Sequence, residues 1–260
     1  MKILITICAR AGSKRLTGKN IKFFNGKPLI VWTVEQALAF KEKWECDIVV
    51  CSDIDIEFLD FWGDYPAVLN RPKELCGDDV PKLDVIRYVL RMVESRPCCD
   101  GFDAIIDLDV TNPCRKPDDI EKALQIFQEN WPDIPTVFSV THARRNPYFN
   151  QVEYGNWGNR LEGYRTSKSL LSGFKAKHIW DMNASILIMK SVWLRQKSNL
   201  HPVCSDSKIY LMDDWQAFDI DHQVDFEVAE YLFGKHLLDK GVWIERKDID
   251  TLSKLENARY

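Results

Sequence analysis

The sequence contains no acidic residue before Glu35, although Asp and Glu outnumber Lys and Arg by 39 to 35 over its 260 residues. Residues 1–34 contain seven Lys and Arg residues, so this segment carries +7 in a chain whose net charge is -4. A basic segment in an acidic chain favours a local polyanion site over the broad basic surface that nucleic acid requires. We therefore predict that this segment binds a di- or triphosphate, and we expect no nucleic-acid partner.

Long apolar runs are also missing. No run approaches the roughly 18 apolar residues of a membrane-spanning helix. The apolar start at residues 3–7 is too short for a signal peptide and predicts a buried strand. We expect a cytoplasmic protein without membrane contact.

The eight cysteines lack the spacings of a metal site. They form no CxxC pair and have no His partner at zinc spacing. We expect reduced thiols that pack as small apolar side chains.

Short apolar segments alternate with segments of helical period along most of the chain. Strands are predicted at residues 3–7, 48–51, 67–69, 104–108, 136–140 and 185–189. Helices are predicted at residues 29–40, 54–62, 83–93 and 224–238, with another that starts near Pro117. This alternation is typical of a parallel sheet with helices on both faces.

Residues 142–180 interrupt the alternation, because they are rich in Asn, Gly, Tyr and Trp and have no helical period. Such a composition is typical of hairpins or of an excursion from the main sheet. We predict one α/β domain over residues 1–260 that carries an insert at 142–180.

The loop after the first strand occupies the position where open parallel sheets bind ligands. It contains neither GxGxxG nor GxxxxGK, so the dinucleotide and P-loop patterns are both absent. Gly12 allows the backbone to approach an anion, and Ser13 adds a hydroxyl donor. The cations that could bind phosphate oxygens are Arg10, Lys14 and Lys19. A solvated basic loop is the alternative, but the embedded glycine and the position after a strand favour a phosphate site.

Several segments resemble the CMP-sialic acid synthetase family, the acylneuraminate cytidylyltransferases. ARAGSKR at 9–15, KNI at 19–21 and NGKPL at 25–29 match the family pattern A-R-x-G-S-K, K-N-(I/L) and G-K-P-L. The further matching segments are 69–78 (R-P-x-E-L-x-x-D), 108–115 (L-Q-x-T-S-P-L-R) and 219–221. Together they cover most of the chain in the family's order.

The resemblance implies a Rossmann-like nucleotidyltransferase fold, with a mainly parallel sheet flanked by helices and a small dimerisation insert. It also implies transfer of a cytidylyl group from CTP to a nonulosonate-type sugar acid, such as a sialic, legionaminic or pseudaminic acid-like sugar. Pyrophosphate is released, and the product serves cell-surface glycan synthesis. A homodimer is implied as well, in which the 142–180 insert pairs the subunits.

The resemblance also assigns site residues. Those assigned to the nucleotide are Arg10, Ala11, Gly12, Ser13, Lys14, Asn20 and Arg71, with Arg71 on the pyrimidine. Those assigned to catalysis are Lys19, Asp219 and Asp221. Those assigned to the acceptor are Asp109, Thr111, Asn112, Arg115 and Asn183.

Asp219 and Asp221 are one residue apart, so on an extended segment both carboxylates face one side. Oxygen ligands of this kind suit Mg²⁺, which takes its other ligands from water and phosphate. An acidic surface turn is the alternative reading. In the family context we expect Asp221 to bind Mg²⁺ and Asp219 to act as co-ligand or base, with one or two ions.

The acceptor end departs from the family pattern. Asp109 replaces the usual Gln and would repel an acidic sugar unless a cation lies between them. Residues 79–84 replace a Ser/Thr cluster, and the arginine expected near the acceptor carboxylate has no clear counterpart. Lys175 and Lys177 are the candidate replacements for it.

Two other functions remain open on the sequence alone. The first is a nucleotidyltransferase that acts on a sugar 1-phosphate or a phosphonate, with CTP or another nucleoside triphosphate. The second is a nucleotide sensor or interaction module without catalysis.

Overall fold

A computed structural model describes residues 1–54, 66–97, 99–154, 161–163 and 178–242. The strands are β1 (Ile3–Ala9), β2 (Phe23–Phe24), β3 (Lys27–Pro28), β4 (Cys46–Ser52), β5 (Ala67–Asn70), β6 (Ala104–Leu108), β7 (Thr136–His142), β8 (Val152–Tyr154), β9 (Leu161–Gly163), β10 (Trp180–Lys190) and β11 (Lys208–Leu211). The helices are α1 (Leu29–Lys41), α2 (Lys82–Glu94), α3 (Asp119–Glu129), α4 (Ser191–Leu194) and α5 (Gln223–Phe233). A π-helical turn, Gly234–Leu238, continues α5.

Seven strands form one sheet in the order β11-β7-β10-β6-β1-β4-β5. Neighbouring strands are parallel except at β10, which is antiparallel to both β6 and β7. The predicted α/β fold, with a mainly parallel sheet flanked by helices, is confirmed. In the part of the chain that the structure describes, no helix is long and apolar enough to cross a membrane.

The strands predicted from short apolar runs all form, most of them extended by one to three residues. The sequence analysis missed β11, because this strand has only four residues and only one of them is fully buried. The predicted helix at 54–62 falls almost wholly outside the described residues. The 142–180 insert is described only in part, and there β8 and β9 pair antiparallel.

The sheet has an apolar core on each face, which is why its central strands read as continuous apolar runs. Ile3, Ile5 and Ile7 of β1 point into the core that contains α1, α3 and α5. Leu4, from the same strand, points into the core that contains α2 and α4. The central strands are therefore buried on both sides, and polar groups gather where the strands end.

The described cysteines are free thiols within this packing. Cys46, Cys51 and Cys114 are buried in the two cores. Burial raises the pKa of the Cys51 thiol to about 11, so this thiol stays protonated and behaves as an apolar side chain.

One cation of the basic segment belongs to the core. Lys27 is 1% exposed, and its Nζ donates to both carboxylate oxygens of Glu35 at 2.9 and 3.0 Å. The ammonium also lies 4.3 Å from the centroid of the Trp32 ring. The prediction that the whole +7 segment faces a ligand is therefore wrong for Lys27.

Two other cations of that segment also point elsewhere. Lys2 pairs with Asp100 at 2.7 Å, at the opposite end of β1 from the loop. Lys22 donates to Gln223 at 2.9 Å and lies over the Phe226 ring. Arg10, Lys14, Arg15 and Lys19 remain for the site.

We predict that Lys27→Met destabilises the protein by about 3–5 kcal/mol, because the buried Glu35 carboxylate loses its countercharge. The double variant Lys27→Met/Glu35→Leu removes both charges and is expected to recover most of this loss. Urea unfolding followed by tryptophan fluorescence measures both free energies. Equal free energies of unfolding for the single and double variants would contradict this role of the ion pair.

Candidate active site

A cavity of about 500 Å³ lies at the carboxyl edge of the sheet. The loops that follow β1, β5 and β6 form its walls, together with the start of α2 and the segment before α5. The residues that line it are Cys8, Arg10, Ser13, Lys14, Arg15, Leu16, Lys19, Asn20, Arg71, Gly77, Asp78, Val80, Lys82, Val85, Asp109, Thr111 and Asp221. This is the edge at which open parallel sheets bind ligands.

Asp78 holds two cations of the loop after β1. Its carboxylate accepts from Arg10 Nη1 at 2.7 Å and also pairs with Lys14. The hydrogen bonds from Lys14 and Arg10 lower the pKa of Asp78. Both cations are thus positioned at the cavity wall by a carboxylate that a more highly charged anion can replace.

Asp221 holds the other two cations. Arg15 Nη1 lies 2.5 Å from Asp221 Oδ2, and Lys19 Nζ lies 3.1 Å from Asp221 Oδ1. Lys19 also donates to the Ile220 carbonyl at 2.5 Å. Partial burial opposes ionisation of Asp221, but Lys19 and Arg15 outweigh it and lower the pKa of this carboxyl.

Ala11 and Gly12 do not line the cavity. The Ala11 N–H donates to Asp53 Oδ1 at 2.8 Å, which anchors the loop to the end of β4. A Cβ atom added at Gly12 would have no neighbour within 4 Å. The nucleotide contacts predicted for these two residues remain predictions.

Asn20 and Arg71 each offer a polar group to the cavity. Asn20 Nδ2 donates to the Arg10 carbonyl at 2.9 Å, while Asn20 Oδ1 is buried without a hydrogen-bond partner among the described residues. Arg71 uses Nε and Nη2 on the Leu75 carbonyl at 2.9 and 2.5 Å. Its Nη1 makes no hydrogen bond within the described part of the chain. Both residues can still bind a ligand.

Lys82, the first residue of α2, joins two carboxylates from the end of β6. Its Nζ lies 2.6 Å from Asp107 Oδ2 and also contacts Asp109 Oδ2. Partial burial would lower the pKa of Lys82, but Asp107 and Asp109 outweigh burial and raise it. The cation that Asp109 requires beside an acidic sugar is therefore present.

Asp219 lies next to this cluster. The Thr111 hydroxyl donates to Asp109 Oδ1 at 2.9 Å, and the Thr111 carbonyl accepts from the N–H of Ile220, the residue after Asp219, at 2.8 Å. Asp219 Oδ1 is buried and lacks a hydrogen-bond partner in the described region. Burial has the largest effect on the Asp219 carboxyl, and the negative charge of Asp109 adds to it. Together they raise the pKa of Asp219 to about 6.

Three of the residues predicted to bind the acceptor lie beneath the cavity. Asn112 Nδ2 donates to the carbonyls of Asn183 and Gln216 at 2.7 and 3.0 Å. Arg115 is 0% exposed and donates to the carbonyls of Ser185 and Asp109. Through these contacts Asn112, Arg115 and Asn183 support the cavity from below. Of the residues predicted to bind the acceptor, only Asp109 and Thr111 line the cavity.

The sequence analysis did not single out Lys82 or Asp107 as site residues. One signal was available, because Asp107 interrupts the otherwise apolar β6 sequence AIIDL. A carboxylate in a buried strand requires a partner. A second signal was Lys82 at the start of a helix, where the helix dipole disfavours a cation unless carboxylates lie nearby.

Comparison with known proteins identifies the family of this chain. The profile of the cytidylyltransferase family matches residues 4–256. The chain belongs to the cytidylyltransferase family. The family predicted from the sequence motifs is therefore confirmed, and the protein is a nucleotidyltransferase.

Two relatives cover nearly the whole of this cytidylyltransferase. CMP-N,N'-diacetyllegionaminic acid synthase of Campylobacter jejuni is 37% identical over 238 residues, which is 89% of this chain and 94% of the relative. Post-translational flagellin modification protein B of Campylobacter coli is 34% identical over 238 residues, which again is 89% of this chain and 94% of the relative. The solved structure of CMP:2-keto-3-deoxy-manno-octonic acid synthetase complexed with CTP superposes with a TM-score of 0.64 at 18% identity, over 91% of this chain and 100% of that chain. The structural likeness establishes the fold.

We predict that Asp219→Asn stabilises this cytidylyltransferase in metal-free buffer. Because the folded pKa of Asp219 lies near 6, above the ordinary 3.8, the native carboxyl binds a proton more tightly than the unfolded one. The cost of ionising Asp219 in the folded wild type lowers its free energy of unfolding. This cost is therefore absent below pH 4 and complete above pH 6. The free energy of unfolding of the variant should exceed that of wild type by roughly 1–3 kcal/mol at pH 8 and should equal it at pH 4. Urea unfolding with a chelator present measures both values. A gain that is equal at both pH values would be inconsistent with a titrating Asp219.

Proposed function

We propose that this protein transfers a cytidylyl group from CTP to a nonulosonate-type sugar acid and releases pyrophosphate, for cell-surface glycan synthesis. The observation that carries the proposal is the cavity itself. It brings four cations of one loop together with the carboxylates of Asp109 and Asp221, in a chain of the cytidylyltransferase family. The similarity to a CMP-legionaminic acid synthase over 94% of that enzyme supports the choice of acceptor.

The triphosphate binds the loop after β1. Arg10 and Lys14, which lie on Asp78, and Arg15 and Lys19, which lie on Asp221, exchange these carboxylates for phosphate oxygens. Charge-assisted hydrogen bonds to several oxygens then stabilise the negative charge that develops on the leaving pyrophosphate. Ser13, at the same wall, supplies a hydroxyl donor.

The nucleoside lies between Asn20 and Arg71. The unpartnered Asn20 Oδ1 accepts from a ribose hydroxyl, since a buried acceptor without a donor is costly. Arg71 Nη1 donates to an acceptor atom of the cytosine ring. Both side chains are already held in place, because Asn20 donates to the Arg10 carbonyl and Arg71 donates to the Leu75 carbonyl.

The residues present fit a Mg²⁺ ion. Asp219 Oδ1 is buried without a partner in the described region, and Asp221 follows two residues later in the chain. No group of three His, Cys, Asp or Glu side chains forms a metal cluster among the described residues, which fits an ion that takes its remaining ligands from water and phosphate. Asp219 and Asp221 would hold the ion. When bound, Mg²⁺ would neutralise phosphate charge and lower the pKa of the acceptor hydroxyl.

The chain's own residues hold the reacting groups in line. The acceptor hydroxyl lies near Thr111, releases its proton to solvent water and attacks the α-phosphorus of CTP. The bond between the α-phosphorus and the oxygen that it shares with the β-phosphate breaks, and pyrophosphate leaves with that oxygen. Lys19, which is mostly buried and fixed by the Ile220 carbonyl, stays at the phosphates throughout. Positioning and charge stabilisation supply the rate enhancement, without a covalent intermediate.

Incubation with CTP, Mg²⁺ and a legionaminic, pseudaminic or sialic acid is expected to give equal amounts of pyrophosphate and CMP-sugar, as followed by ³¹P NMR. CTP at about 100 times its Kd should stabilise the protein by roughly 2.7 kcal/mol, more than GTP, UTP or ATP at the same concentration. Failure to form pyrophosphate with all three sugars and with deoxy-octulosonic acid would contradict the proposed acceptor. A dominant shift with GTP or UTP would contradict the use of CTP.

We also propose a cytoplasmic homodimer. The free cysteines fit a reducing compartment. Trp180 and Met182 support the dimer, because each is 45% exposed and they lie two residues apart at the start of β10. There β10 extends beyond its pairing with β6 and, within the described residues, pairs only with β7. Apolar side chains on such an extension suit a subunit interface.

Light scattering is expected to give a mass twice the 30.3 kDa of one chain. The double substitution Trp180→Glu/Met182→Glu places charges on the extension and should shift the protein to the monomer. Val192→Glu, a substitution at another exposed apolar residue, serves as the matched control and should remain dimeric. A wild-type monomer, or a double variant that remains dimeric, would contradict this interface.

A further inference from the structure

Lys82 stands apart from the other cations of the cavity. Arg10, Lys14, Arg15 and Lys19 belong to the loop after β1, whereas Lys82 begins α2 and contacts the end of β6. The phosphate-binding role proposed above therefore leaves Lys82 without an assigned ligand.

Lys82 lines the cavity, and its side chain is more exposed than the two carboxylates that it contacts. The Lys82 side chain is 38% exposed, while those of Asp109 and Asp107 are 18% and 2% exposed. Two N–H groups of Lys82 are directed at these carboxylates. The third has no protein partner within the described residues and remains for a ligand in the cavity.

The two carboxylates that contact Lys82 also interact with other hydrogen-bond donors and with a second cation. Asp107 accepts from the Thr6 hydroxyl at 2.8 Å. Asp109 Oδ1 accepts from the backbone and the hydroxyl of Thr111 at 3.1 and 2.9 Å. The buried Arg115 guanidinium lies behind both, and its charge interacts with each. Arg115 and Lys82 together balance the two carboxylates, so the ammonium nearest the cavity can attract an anion.

The position of Lys82 identifies which anion this is. Asp109 contacts both Lys82 and Thr111. The Thr111 carbonyl in turn accepts from the Ile220 N–H at 2.8 Å, next to Asp219, and this is the region where the acceptor hydroxyl attacks. In a 2-keto sugar acid the anomeric hydroxyl and the carboxylate are attached to the same carbon. A cation next to the attack site is therefore within reach of the carboxylate.

We propose that Lys82, held by Asp107 and Asp109, binds the carboxylate of the sugar acid and makes this protein selective for acidic acceptors. This inference rests on the proposed function. It assigns to Lys82 the role for which the sequence offered only Lys175 and Lys177, which both lie outside the described residues. Asp109, which alone would repel the acceptor, orients the cation that attracts it.

The test compares a sugar acid with its carboxamide, using purified full-length protein, CTP and Mg²⁺. Wild type is expected to prefer the acid in kcat/KM by about 10–100-fold, the effect of one charge-assisted hydrogen bond. Lys82→Met should raise the KM for the acid by a similar factor, abolish the preference and leave the KM for CTP unchanged. Lys82→Arg keeps the charge and should restore part of the preference.

Two further variants separate binding from folding. Lys82→Met/Asp109→Asn removes the cation without leaving Asp109 as a lone carboxylate, and it should show the same loss of preference with a cooperative unfolding transition. Lys14→Met is the matched control from the phosphate loop and should raise the KM for CTP while keeping the preference for the acid.

The outcomes distinguish this inference from the proposed function. If wild type converts the sugar acid but Lys82→Met keeps the preference for it, the inference is wrong and the proposed function stands. An equal rise of both KM values in Lys82→Met, or a loss of activity towards acid and carboxamide alike in the double variant, would also overturn it. If wild type converts no nonulosonate, the proposed function fails and this inference fails with it.

Discussion

The parallel alignment of β1, β4, β5 and β6 is the constraint on which the rest of the site depends. Because these strands run in one direction, the loops that follow them all emerge at the same edge of the sheet. Both faces of the strands are covered by helices, so charged side chains have no place along them except in pairs. The edge therefore collects residues that are up to about 200 positions apart in the sequence, such as Arg15 and Asp221.

The collected charges hold each other in place before any ligand arrives. Asp78 and Asp221 each bind two cations of the phosphate loop, and Lys82 binds two carboxylates at the opposite wall. Ordered side chains lose less conformational freedom when they bind a substrate. The pairs that Arg10, Lys14 and Arg15 form are partly exposed and stabilise the fold little, so their main effect is to position binding groups. Exchange of the carboxylates for phosphate then costs little, because the phosphates carry more charge.

A buried polar network beneath the cavity fixes the antiparallel strand in the sheet. Arg115 donates to the Ser185 carbonyl of β10, and Asn112 joins the carbonyls of Asn183 and Gln216. Gln216 in turn donates to the Cys114 carbonyl and to Asp119. Every buried donor in this set has an acceptor, so the network is rigid. It links β6, β10 and the segment that carries Asp219, and thereby sets the distance between the two walls of the site.

The sequence by itself determined the fold class, the family and most of the helices and strands, because buried parallel strands and amphipathic helices leave strong local patterns. It also predicted a phosphate-binding loop at residues 9–15 and the Asp219–Asp221 pair, because the residues within each motif lie close together in the chain. Only the tertiary structure decided which cations face the cavity. Lys27 is buried in the core and Lys19 lines the cavity, although both are basic residues of the same segment. It also decided that Lys82 neutralises Asp109, because the electrostatic field at a carboxylate depends on neighbours in space. Those neighbours come from other strands and helices, and their distances are set by packing that no local pattern encodes.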